Sequence, residues 1–111
     1  MNHITRRLSL AAMTLAMFSA WPAMAQDYPS KPIRIIAPFP AGTGPDVGAR
    51  GIAAELGKVL GQSVIVENRP GASSMIGMEA AAKAAPNGYT LVIGPTTALS
   101  VVPHLYSKVP Y

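Results

Sequence analysis

Pro32-Ile33-Arg34-Ile35-Ile36-Ala37-Pro38-Phe39-Pro40-Ala41-Gly42-Thr43-Gly44-Pro45-Asp46 is the stretch on which the reading of the fold turns. A short β-branched run closed by proline on both sides reads as a strand. The apolar character of Ile33, Ile35, Ile36 and Ala37 fits a strand of a largely buried sheet. A loop of small residues then runs into Asp46, where a helical pattern begins. Strand, glycine-rich loop and helix start, in that order, are the opening of a β-α-β unit.

Asp46 to Leu60 places Ala49, Ile52, Ala53, Leu56, Val59 and Leu60 on one face at helical spacing, with Arg50, Gly51, Ala54 and Lys58 opposite. Gly61 ends that helix. Ser63 to Glu67 (S-V-I-V-E) predicts a second strand. Ser74 to Ala85 predicts a second helix, with five alanines and Glu79 four residues before Lys83, closed by Pro86 and an Asn87-Gly88 turn. Thr90 to Ile93 (T-L-V-I) predicts a third strand. Strands alternating with helices imply right-handed crossovers and a parallel sheet flanked by helices, an α/β fold.

In such a sheet, ligands bind at the carboxyl ends of the strands. Three loops fall there: Pro38 to Asp46, Asn68 to Ser74, and Gly94 to Ala98. A glycine-rich loop entering a helix exposes backbone N–H groups that have no intrahelical partner, which suits a carboxylate or phosphate. Gly42 and Gly44 allow close approach, and Thr43, Ser73, Ser74, Thr96 and Thr97 offer hydroxyl donors, although turns and caps use the same residue types. Asp46 is expected to cap the helix by accepting from free amides of the first turn, since an unpaired carboxylate would repel a bound anion.

Other chemistries fail on spacing. Val47 stands where the third glycine of a dinucleotide fingerprint belongs, and no Walker lysine is present. Gly71-Ala72-Ser73-Ser74-Met75 lacks the second glycine of a nucleophile elbow. His104, beside Pro103, is the one histidine beyond the N-terminal segment, so it reads as a turn or surface residue rather than a base or a metal ligand. Tyr89, Tyr106 and Tyr111 are scattered and read as packing or surface residues. No catalysis, cofactor or metal is expected.

Half of the 111 residues are hydrophobic and 13% are charged, a balance that argues against disorder. The net charge of +4 includes Arg6 and Arg7; beyond Ala25, seven Lys/Arg face five Asp/Glu with no basic run, so nucleic acid is not an expected partner. The chain has no cysteine, which excludes disulfides, a thiol nucleophile and thiolate metal sites. Residues 1–25 read as a secretory signal: a positive start at Arg6 and Arg7, 14 mostly apolar residues from Leu8 to Trp21, and Ala23-Met24-Ala25 as the cleavage site. The apolar stretch is too short to span a bilayer, and the ordinary export route is preferred to the twin-arginine one.

The run from Tyr28 to Arg50 resembles the opening of the Bug family, the solute receptors of tripartite tricarboxylate transporters. So do V-E-N-R-P-G-A from Val66 to Ala72, A-A-K-A-A-P-N-G-Y-T-L from Ala81 to Leu91, and P-H-L-Y from Pro103 to Tyr106. The resemblance implies a type II periplasmic-binding-protein fold, of which residues 26–111 correspond to the first part of lobe one, with sheet order 2-1-3. It implies a periplasmic receptor, without catalysis, that delivers a small carboxylate to membrane permease subunits. An exported sensory or interaction protein built on the same lobe is the alternative. Carried over position by position, the carboxylate site falls on Pro40, Ala41, Gly42, Thr43 and Gly44, then Thr96 and Thr97, with Ser73 and Ser74 as further candidates. Two departures stand out: A-G-T-G-P-D replaces the family's usual A-G-G-G-T-D, and S-S-M replaces a more glycine-rich stretch.

Overall fold

The computed structural model describes residues 27–111, so the expected signal segment lies outside the described residues. Strand β1 spans Ile33–Ala37, helix α1 Gly44–Leu60, β2 Val64–Asn68, α2 Met75–Ala82, β3 Thr90–Val92, and a short α3 Val102–Leu105 follows a wide helical turn at Thr97–Val101. The strands form one parallel sheet in the order β2-β1-β3, as expected. β1 is central because it is the most apolar strand: Ile33, Ile35, Ile36 and Ala37 are each 2% exposed or less. Burying each such isoleucine contributes about 1.5–3 kcal/mol.

The register pairs Ile33 with Val64, Ile35 with Val66 and Ala37 with Asn68, so these side chains share one face of the sheet. Helix α1 lies on that face against β2 and β1, while α2 packs on β1 and β3. The small side chains of Ala49 and Ala53 are buried beneath α1.

Three expectations need correction. Ile52 and Val59 are exposed, because the buried line of α1 runs through Asp46, Ala49 and Ala53 and leaves those two on its flank. Helix α2 starts one residue later than expected and stops at Ala82 rather than Ala85. Lys83 still closes that helix, donating its backbone N–H to Glu79 O and pairing its side chain with the Glu79 carboxylate. The segment after β3, read only as a loop, winds into helical turns that carry the exposed His104.

At the opposite end of the sheet the segment before β1 is fastened to the turn before β3. Tyr28 Oη donates to Gly88 O at 2.7 Å, Ser30 N donates to Tyr89 Oη at 2.9 Å, and the two tyrosine rings meet edge to face. Tyr89 therefore packs, as expected, and also serves as an acceptor.

Candidate functional site

Parallel pairing brings the carboxyl ends of all three strands to one edge: Ala37 lies beside Asn68, and Ile36 beside Val92. The first loop, Pro38 to Thr43, and the second, Arg69 to Ser74, leave this edge side by side and are bound to one another. Arg69 N donates to Ala37 O at 2.9 Å, Asn68 Nδ2 to Phe39 O at 3.1 Å, and Ser74 Oγ to Pro38 O at 3.2 Å. Gly77 of α2 completes the contact, since a Cβ there would lie 2.6 Å from Pro38 Cβ and 2.8 Å from Arg69 O. Only glycine lets the helix come this close.

Asp46 anchors the first loop, and its expected role as helix cap is not what the geometry shows. Thr43 is the N-cap of α1, and its hydroxyl turns back to Pro40 O at 2.8 Å instead of capping the helix. Asp46 sits in the first turn, 2% exposed, on the buried line of α1, and its carboxylate is held at the sheet edge. There Oδ2 accepts from Gly42 N at 2.8 Å and from Arg50 Nε at 3.0 Å, and Oδ1 accepts from Asn68 Nδ2 at 2.7 Å. Arg50 Nη2 donates to Asn68 Oδ1 at 2.9 Å and closes the triangle. The Arg50 hydrogen bond, then those of Asn68 and Gly42, lower the Asp46 pKa from 3.8 to about 2, so the group is a carboxylate throughout the neutral range.

The geometry sorts the expected site residues. Gly42 contributes its left-handed backbone, φ 81°, which directs its N–H to Asp46; that donor is spent internally. Thr43 also spends its hydroxyl donor, leaving only lone pairs. Among the described residues, no loop hydrogen bond uses the N–H of Ala41 or Gly44. Pro40 supplies the carbonyl that holds the turn at Thr43. Ser74 is tied to Pro38, whereas Ser73 is exposed at the crest of the second loop. Thr96 and Thr97 stand exposed at the start of the helical turn after β3, on the same edge but outside the hydrogen bonds that join the first two loops.

The second loop is unusual in its backbone. Gly71, Ala72, Ser73 and Ser74 have φ of 121°, 47°, 53° and 72°, a run of left-handed residues of which three carry side chains. Each non-glycine residue there costs roughly 1–2 kcal/mol. Such strain persists where surrounding structure holds it, and it concentrates at functional sites. Here the Ser74 bond to Pro38 and the fit of Gly77 against the first loop provide the hold.

Sequence reading missed Arg50 and Asn68, which it assigned to a polar helix face and a loop. One signal was available: Asp46 continues the buried stripe of Ala49 and Ala53 at helical spacing, and a buried carboxylate requires partners. The loops themselves form an open shelf. An open groove of about 370 Å³ lies elsewhere, beside β2, lined by Arg50, Ala53, Ala54, Val64, Ile65 and Val66.

The parallel 2-1-3 sheet flanked by helices is shared with solved periplasmic binding proteins. The chain belongs to the tripartite tricarboxylate transporter family receptors, whose family model matches residues 48–111. Protein BugT of Bordetella pertussis is 42% identical over an alignment covering 98% of this chain and 34% of BugT. Among solved structures, the periplasmic binding protein BugD superposes with a TM-score of 0.69 at 36% identity, covering 76% of this chain and 28% of that one. The R. palustris protein Rpa4515, solved with adipate, gives 0.72 at 34% identity, covering 77% and 28%. The chain thus spans about a third of the length of the curated relatives it matches.

Proposed function

We propose that this chain is the loop-bearing N-terminal part of a periplasmic solute receptor that captures a small carboxylate for uptake through a tripartite-tricarboxylate-type permease. The observation that carries the reading is the pair of clamped loops at the carboxyl edge of the sheet, where the N–H groups of Ala41 and Gly44 and the hydroxyl of Ser73 are available to an anion. Backbone and hydroxyl donors fixed in this way bind a carboxylate through charge-assisted hydrogen bonds without needing a counter-cation. The Asp46 charge beside them does not oppose the solute, because Arg50 pairs with it at 3.0 Å. Family membership and the adipate bound to the R. palustris relative support the same chemistry.

An open shelf buries little of a ligand, so the affinity of these residues alone is expected to be weak, roughly millimolar. The test is an amide-resolved NMR titration of the isotope-labelled chain with adipate, set against the neutral diamide of the same length. Selective shifts at Ala41, Gly44, Ser73 and Thr96 with adipate are the expected result. Equal shifts with both compounds, or none with either, would refute the carboxylate reading.

A further inference from the structure

We propose that Asp46 is the positioning residue of the first binding loop: held between Arg50 and Asn68, it turns the Gly42 amide inward and leaves the Ala41 and Gly44 amides to face the solute. This inference rests on the carboxylate-receptor reading and adds how that site is set. At 2% exposed, Asp46 does not reach a solute itself. Its effect passes through the loop, which is gripped at two points on either side of Pro40 and Ala41. Gly42 is held by Asp46 Oδ2, and Phe39 by Asn68 Nδ2, whose amide also holds Asp46 Oδ1. One side-chain triangle, built from α1 and β2, therefore fixes the rotation of the loop. The left-handed Gly42 permits that rotation, and the charge-assisted bonds select it. Since Asn68 ends the strand that leads into the second loop, the same triangle also fixes the spacing of the two loops.

The test uses the isotope-labelled full chain with Asp46→Ala and the size-matched Asp46→Asn, which retains bulk if the alanine variant fails to fold. Two quantities are read: hydrogen exchange at Gly42 relative to Ile36 in the core of β1, and adipate affinity from the Ala41 and Gly44 amide shifts. In both variants, Gly42 exchange is expected to accelerate at least about tenfold, as for loss of one charge-assisted hydrogen bond, with Ile36 changed less than about twofold. Adipate affinity is expected to fall about tenfold in the same variants, a change that stabilisation of the fold alone would not produce. Unchanged exchange at Gly42 overturns the proposal whatever adipate does. Adipate bound equally tightly after Gly42 is released overturns it too. Absence of adipate shifts in the unaltered chain instead counts against the carboxylate reading, and the exchange result then decides the positioning role by itself.

Discussion

Gly77→Ala and Gly51→Ala, the same substitution in two helices, should change stability in opposite directions. On helix propensity alone, replacing an interior glycine by alanine stabilises by about 1 kcal/mol. At Gly51 nothing lies within 4 Å of the added Cβ and the position is exposed, so the full gain is expected. At Gly77 the Cβ would lie 2.6 Å from Pro38 Cβ, 3.0 Å from Pro38 Cα and 2.8 Å from Arg69 O. Carbon atoms pack best at about 3.5–4.0 Å, so α2 must retreat by close to an ångström from a proline ring and a backbone carbonyl, neither of which can swing aside. Overpacking of this kind costs up to about 3 kcal/mol, leaving a net loss near 2 kcal/mol after the propensity gain. For a domain this small, that is a fall of roughly 8–16 °C in melting temperature, against a rise of roughly 4–8 °C for Gly51→Ala. Melts of both variants followed by far-UV circular dichroism provide the assay. If Gly77→Ala melts as high as Gly51→Ala, the close approach of α2 to the first loop is wrong, and so is the clamp built on it.

Three further outcomes follow from the loops. Asp46 has a folded pKa below its unfolded one, so its contribution to stability is complete above about 3.8 and is lost as pH falls through about 2; Asp46→Asn should remove that part of the acid dependence, and an unchanged acid slope would count against it. Asn68→Asp sets a second carboxylate where Nδ2 now lies 2.7 Å from Asp46 Oδ1, which raises a folded-state pKa, so the variant should melt below the parent at neutral pH and the gap should narrow as pH falls toward about 4. Ala72→Gly relieves one left-handed residue and should stabilise by about 0.5–1 kcal/mol after the added chain entropy, a rise of a few degrees; a fall in melting temperature would show that the turn is not strained.

Much of the sheet was legible because its signals are local. The β-branched run from Ile33 to Ala37 flanked by prolines, and the glycine after Leu60, set strand and helix ends without help from tertiary contacts. The loop positions followed from the direction of a parallel sheet. The wiring inside those loops was not legible, because it depends on contacts between residues 18 to 36 positions apart, such as Arg50 with Asn68 and Ser74 with Pro38. Asp46 read as a cap because capping is the commonest use of an aspartate at a helix start, and only the register of Ala37 with Asn68 brings a better set of donors to it. The left-handed run was equally hidden, since Ala72, Ser73 and Ser74 are residues that ordinarily avoid it.

That run bears on how the protein can drift. At positions 72 to 74, random replacement by most amino acids leaves the backbone penalty in place, while glycine, asparagine or aspartate reduces it. A lineage under no demand except stability would therefore move toward those letters, and the hydroxyl at Ser73 would be among the first groups lost. Its persistence or loss across descendants records whether the crest of the second loop is still in use, a readout obtained by sequencing, without purifying the protein.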